Sequence, residues 1–231
     1  MTKNFISNEI PVSEHKHKLE VVQLFSGLSH DVLDELMNVM KEVSFKKNTQ
    51  VITQGDNSRS LFIISKGRLK VFANDEDGSQ TIFTFLSEGE FFGELSLLDS
   101  APRSASVTTV DDCKLLTLSP QNFKLILEKH PDINLPLMTA LTARIRQMDE
   151  TICNLTSRDI YGRLVQVLYN EAEPNADGTF VTGRFTHQDL AEMIGSSREM
   201  VSRILKDLRI GEYISIDQKQ IRILKRLPSH W

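Results

Sequence analysis

From about residue 50 the chain breaks into short apolar runs divided by turn residues: Gln50–Thr53, Leu61–Ser65, Leu69–Ala73, Thr81–Leu86, Ser106–Val110 and Lys114–Leu118. Glycines at 55, 67, 78 and 89 fall in the intervals and read as turn residues. Short strands at regular spacing predict a small antiparallel β-barrel. Ahead of it, Leu19–Val39 has apolar residues at helical spacing, broken at Phe25–Ser29, where Ser29 is placed to cap a helix beginning His30-Asp31. Residues 1–18 are polar and aperiodic and read as a flexible arm.

After Asp132 the period changes. Met138, Leu141, Ile145, Met148, Ile152 and Leu155 recur at alternating intervals of three and four, the seam of a two-stranded coiled coil. A helix over Asp132–Leu155 measures about 36 Å at 1.5 Å per residue. The alternative, an amphipathic helix packed on its own domain, calls for a wider apolar stripe. Asn154–Ser157 interrupts the seam, and Ser157 or Asp159 is able to cap the next helix, Ile160–Glu171.

Two helix starts follow, at Thr186-His187-Gln188-Asp189 and Ser196-Ser197-Arg198-Glu199, each in the form of a capping box. With Ala191 at the helix contact and Gly195 in the turn, they predict a helix-turn-helix. Val201, Ile204, Leu205 and Leu208 form the buried stripe of the second helix, leaving Arg198, Glu199, Ser202 and Arg203 on the opposite face. An Arg fork fits guanine O6/N7 and a Glu accepts from cytosine N4, so this face suits G·C pairs. Tyr213–Ile216 and Gln220–Leu224 read as a hairpin around Asp217-Gln218-Lys219, a wing with Lys219 as a phosphate contact.

The stretch Phe92-Gly93-Glu94-Leu95 to Pro102-Arg103-Ser104 carries the second chemistry. Gly93 permits close backbone approach, and a short helical turn after it presents N–H groups to an anion. Glu94 is an acceptor suited to a ribose 2′-hydroxyl, Arg103 a permanent cationic fork for two phosphate oxygens, and Ser104 a further hydroxyl donor.

Composition narrows the class. With 231 residues, 40% hydrophobic and 25% charged, one or two soluble domains are expected, and no apolar run is long enough to cross a bilayer. The N-terminal residues lack the layout of a secretion signal, which points to the cytoplasm. Residues 158–231 carry 11 Lys and Arg against 10 Asp and Glu, the remainder 16 against 21, so the C-terminal part is the more compatible with a polyanion. Cys113 and Cys153, far apart, support neither a disulfide framework nor a metal cluster, and both are expected as buried or neutral thiols. His15 and His17 have no third metal ligand, and no nucleophile–base set supports an enzyme.

Phe-Gly-Glu-Leu followed by Pro-Arg-Ser-Ala resembles the phosphate-binding cassette of cyclic-nucleotide-binding domains. With the long helix and the Arg-Glu-x-x-Ser-Arg helix, the chain over about residues 19–226 is similar to the catabolite-activator/fumarate-nitrate-regulator (CRP/FNR) family of bacterial transcription regulators. The resemblance implies an α+β protein, with an antiparallel barrel of jelly-roll type over 19–130, a dimerisation helix and hinge over 131–157 and a winged helix-turn-helix over 158–231. It implies a homodimer that binds an inverted repeat of TGTGA-like half-sites, works with RNA polymerase and has no enzymatic activity. Nucleotide contacts carry over to Phe92, Gly93, Glu94, Leu95, Arg103, Ser104 and Arg144, and DNA contacts to Thr186, His187, Gln188, Ser197, Arg198, Glu199, Ser202, Arg203 and Lys219. The expected ligand is cyclic AMP. Where members responsive to cyclic AMP place a Thr-Ser pair against adenine, this chain has Met148-Asp149, and a carboxylate also suits the paired donor edge of guanine in cyclic GMP. A regulator answering another effector or none, and a nucleotide-binding module acting through protein contacts, are the alternatives. On this reading Arg103→Leu abolishes nucleotide binding and leaves the fold intact.

Overall fold

The structure, a computed structural model, describes residues 19, 22–25, 28–75, 77–175 and 178–228. The expected arm with His15 and His17 lies outside these residues. Helix α1 (His30–Val39) starts after Ser29, whose backbone is extended as an N-cap requires but whose hydroxyl makes no capping bond. Strands β1 (Lys41–Phe45), β2 (Gln50–Ile52), β3 (Leu61–Lys66), β4 (Leu69–Asn74), β5 (Gln80–Leu86) and β6 (Phe91–Phe92) follow. A short helix α2 (Glu94–Leu98) separates β6 from β7 (Ser106–Thr109) and β8 (Cys113–Leu118). These strands form two four-stranded antiparallel sheets, ordered β1-β8-β3-β6 and β2-β7-β4-β5.

Period-two alternation sorts their side chains. Ile64, Phe92, Cys113 and Leu115 of the first sheet meet Ile52, Leu69, Leu86 and Val107 of the second, filling the barrel. Leu61, Ile63, Leu116 and Leu118 take the other face, against Leu33 and Leu36 of α1 and Phe123 and Ile126 of α3 (Pro120–Lys129). Helix α3 was not expected, although Ser119 caps it through Asn122 N at 3.2 Å and Pro120 occupies its first turn. Strands β1 and β6 were also not expected. In Lys-Glu-Val-Ser-Phe only Val43 and Phe45 mark the inward face, too short an alternation to stand out, and β6 has two residues.

Helix α4 (Asn134–Ser157) follows a 3₁₀ turn at Pro131–Ile133. Leu137 and Ala140 are buried in the α1/α3 core and Leu141 packs against it. The chain divides into two compact units, residues 1–78 with 83–144 and residues 79–82 with 145–231, so that this helix is divided between Arg144 and Ile145, ahead of the hinge expected at Asn154–Ser157. The reason is packing: the first unit claims α4 only as far as its apolar residues reach the barrel core. Beyond that point Ile145, Met148, Ile152 and Leu155 are exposed, as is Met138.

The second unit holds α5 (Ile160–Asn170), capped by Asp159 through Gly162 N at 2.8 Å, then β9 (Ala172–Pro174) and β10 (Phe180–Arg184). Next come α6 (His187–Ile194), α7 (Arg198–Ile210), β11 (Ile214–Asp217) and β12 (Gln220–Ile223). The expected hairpin is half of a four-stranded antiparallel sheet, β11-β12-β10-β9, because Phe180–Arg184 adds to the β12 edge. Leu164, Leu168, Leu190, Ile194, Val201, Ile204, Leu205 and Leu208 are buried on the helices of this unit, and Ile214, Ile221 and Ile223 on its strands. Cys113 is buried and burial pushes its thiol pKa up, whereas Cys153 is exposed on α4, so of the expected buried or neutral thiols only Cys113 is buried. Among the described residues no helix is long and apolar enough to cross a membrane, and no cluster of His, Cys, Asp and Glu is suited to a metal ion.

Candidate functional site

Strand β6 ends at Gly93, whose backbone is left-handed with φ of 88° as it enters α2. A β carbon there would lie 2.6 Å from Arg103 Nη1 and 2.7 Å from the Ser60 carbonyl, so both the turn and the packing require glycine. The loop returning from α2 is fixed by Asp99, which accepts from Ala101 N at 2.8 Å. The Arg103 backbone then joins the loop after β2, its N–H donating to Asp56 O and its carbonyl accepting from Gly55 N, both at 2.8 Å.

Arg103 is buried, and four N–H donors of its guanidinium are engaged within the protein. Nε donates to Ser58 Oγ at 3.1 Å, Nη1 to Gly93 O at 2.7 Å and Ser96 Oγ at 2.8 Å, and Nη2 to Ser60 O at 2.7 Å. Burial pushes its pKa down, opposed by the charges of Glu94 and Asp56. The fork therefore braces the cassette instead of standing open toward an anion. Glu94 is also buried, and its carboxylate accepts from Nη1 of Arg144. Nη2 of Arg144 donates to Phe91 O, with the guanidinium 4.5 Å from the center of the Phe91 ring.

The first unit thus brings Gly93, Glu94, Arg103 and Arg144 into one cluster, in which Arg103 bonds Gly93, Arg144 bonds Glu94, and Glu94 and Arg103 interact through their charges. Phe92 is buried beneath it, stacked on Phe62 with ring centroids 5.1 Å apart. Leu95 and Ser104 are exposed at its edge. Met148 and Asp149 lie further along α4 in the second unit and are exposed. Ser58, Ser60, Ser96 and Phe91 belong to the cluster without any mark in the sequence pattern, since only the strand topology brings them to Arg103 and Arg144.

In the second unit α6 and α7 are joined at Gly195, a left-handed C-cap with φ of 61°. Thr186 and Asp189 form the expected capping box: Asp189 N donates to Thr186 Oγ1 at 3.0 Å and Thr186 N to Asp189 Oδ2 at 2.8 Å. The second start is capped by Ser197, which accepts from Met200 N at 3.2 Å. The cap falls one residue later than the expected Ser196 box and is not reciprocal, because Met200 stands three residues on. Thr186 and Ser197 are thus engaged as caps.

Arg198, Glu199 and Arg203 are exposed on α7, with Arg203 Nη2 3.0 Å from Met200 Sδ. Ser202, expected on the same face, is half-buried, and its hydroxyl lies 2.7 Å from Nδ1 of His187. Burial, and secondarily the charge of Arg198, hold the His187 pKa below the ordinary histidine value. Gln188 bonds Glu192 at 2.9 Å. Thr186, His187, Gln188, Arg198 and Lys219 border a concavity of about 530 Å³ with Phe185 and Ile221. Lys219 reaches it from the β11–β12 turn, where Gln218 and Lys219 both have positive φ, the backbone of a two-residue hairpin that follows the twist of its strands.

Comparison with known proteins assigns these parts. Residues 42–130 match the cyclic nucleotide-binding domain and residues 162–227 the Crp-like helix-turn-helix domain. The chain is 33% identical over 183 residues to the cAMP-activated global transcriptional regulator CRP of Pasteurella multocida, covering 77% of this chain and 87% of that protein. It is 26% identical over 204 residues to the CRP-like cAMP-activated global transcriptional regulator of Mycobacterium tuberculosis, covering 87% and 91%. Among solved structures, the c-di-GMP responsive regulator CLP of Xanthomonas campestris superposes with a TM-score of 0.75 at 22% identity, covering 86% of this chain and all of that one, a likeness of fold. With a nucleotide-binding barrel followed by a capped helix-turn-helix and a wing, the chain belongs to the CRP/FNR family of transcription regulators.

Proposed function

We propose that this regulator is a cytoplasmic homodimer that responds to a cyclic nucleotide, cyclic AMP ahead of cyclic GMP, and binds an inverted repeat of TGTGA-like half-sites, acting with RNA polymerase. The observation that carries the reading is the Glu94–Arg144 pair, which joins the cassette to the helix whose apolar stripe is exposed. A ribose hydroxyl at Glu94 competes with Arg144 for one buried carboxylate. A phosphate beside Arg103 likewise exchanges with the Gly93 and Ser60 carbonyls. A ligand that makes these exchanges favors one setting of α4 over another, which is how binding in the barrel biases the dimer and the helices that read DNA. Asp149 is the candidate base contact, with Met148 beside it. Two recognition helices about 34 Å apart meet successive major grooves on one face of the duplex.

The test is calorimetry against cyclic AMP and cyclic GMP with the wild type and Asp149→Asn, followed by gel shifts on TGTGA-containing duplexes. A guanine pair on Asp149 loses far more affinity in the variant than an adenine contact does. A second reading, that the barrel answers another effector or none, is favored by the engagement of Arg103 with Ser58, Ser60, Gly93 and Ser96. Absence of binding by both nucleotides selects it.

A further inference from the structure

Ser202 stands one turn after Arg198 and three residues after Glu199, so it shares their side of α7. Unlike them, it is tied to the other helix, its Oγ 2.7 Å from Nδ1 of His187, the first residue of α6. A hydroxyl has one proton and two acceptor lone pairs. The ring borders the concavity beside Arg198 and Lys219, which would admit water or a phosphate oxygen to accept from Nε2. That donation selects the neutral tautomer with a bare Nδ1. In this state the Ser202 proton goes to the ring and its lone pairs face outward. Once the ring is protonated both nitrogens donate, Oγ accepts, and the Ser202 proton turns outward.

We propose that His187 is a positioning residue of the DNA-reading surface, which through Ser202 sets whether α7 offers an acceptor or a donor to one base pair. The base preference at that step then follows the protonation of the ring. The charged groups around it are Arg198 from α7, Lys219 from the β11–β12 turn and Asp189 from its own helix, the last bound in the Thr186 capping box. Burial and Arg198 keep the imidazole neutral near neutral pH. DNA phosphates supply the opposing negative charge, which raises its proton affinity in the complex. As an acceptor, Ser202 meets the amino groups of cytosine or adenine; as a donor, it meets guanine O6/N7 or thymine O4. The inference rests on the reading of α7 as the base-contacting helix.

The experiment selects a pool of randomized duplexes with the wild type, Ser202→Ala and His187→Gln, each at about pH 8 and about pH 5. The second set lies well below the ordinary histidine value because burial lowers the ring's pKa. The protonation of His187 in each complex that retains it is read from its imidazole carbon NMR shift. Ratios between bases at a single step cancel any effect of pH that is common to all duplexes. At one step of each half-site the wild type should shift about fivefold from amino-bearing toward carbonyl-bearing major-groove partners on acidification, the size of one exchanged hydrogen bond. The shift should vanish in both variants, with preferences at the Arg198 and Arg203 steps retained. A wild-type preference that ignores pH, or a shift that survives in Ser202→Ala, overturns the proposal while leaving α7 as the reader. Absence of sequence preference at every step overturns the reading of α7 itself, and this inference with it.

Discussion

The Gly93 carbonyl accepts a hydrogen bond from Arg103 Nη1 at 2.7 Å, and a β carbon on Gly93 would come within 2.6 Å of that same nitrogen. The contact that braces the cassette thus adds to the positive φ and the Ser60 carbonyl, 2.7 Å from the same β carbon, in requiring glycine at this position. Gly93→Ala combines left-handed backbone strain with displacement of the guanidinium and should cost about 1–3 kcal/mol of stability. Urea denaturation measures it, and an unchanged midpoint would contradict the packing described here.

Arg103→Leu was expected from the sequence to remove nucleotide binding alone, and the buried network revises that. Leucine leaves the half-buried carbonyls of Gly93 and Ser60 without this donor, each at a cost toward the lower end of the about 1–3 kcal/mol of an unpaired buried group. The variant should lose stability as well as ligand. Arg103→Lys keeps the charge but not the fork and should recover little of the loss, as the same denaturation experiment reads out.

The exposed stripe on α4 predicts its own test. Ile145→Glu with Ile152→Glu places like charges along the proposed seam. Sedimentation should show a dimer for the wild type and a monomer for the double variant, with the barrel still folded. A wild type that is monomeric at micromolar concentration removes the coiled-coil reading.

Arg198→Ala and Lys219→Ala should differ in kind. The first should cost about 1–3 kcal/mol per half-site and relax G·C preference at one step. The second should weaken all duplexes alike and flatten the salt dependence. Equal losses on a scrambled duplex for both would remove Arg198 from base reading.

His187 has a further signature in the absence of DNA. Its folded pKa lies below the reference value of 6.5, so below that pH the unfolded chain binds more protons than the folded one. Stability from this group is present above the unfolded value and is lost as pH falls through the folded one. Denaturation midpoints of the wild type should therefore decline on acidification more steeply than those of His187→Gln.

The parts legible in the sequence were those that repeat or punctuate. Leu61–Ser65 and Lys114–Leu118 announced central strands because both their faces are buried, and Thr186 and Asp189 announced a helix start because capping is local chemistry. The edge strand β1 and the two-residue β6 lacked that signal. Within the site, Gly93, Glu94 and Arg103 stood out by spacing. Arg144 came from the family resemblance alone, Ser58 and Ser60 are brought to the site by chain topology, and a serine in a polar loop looks alike whether or not an arginine bonds it. The tie between His187 and Ser202 was hidden for a related reason: each residue fitted its own helix, and only the angle at Gly195 joins them.

The division of α4 at Arg144 has a thermodynamic consequence. Residues 145–157 extend about 20 Å past the last barrel-core contact with side chains mostly exposed, and a helical segment of that length is marginal in water without burial of its apolar stripe. In the proposed dimer its order would come from the second copy, so helix completion and association become one concentration-dependent equilibrium, with the negative heat capacity change that burial of an apolar stripe brings. Dilution should then register in far-ultraviolet dichroism as a loss of helicity confined to this segment, before any barrel strand melts.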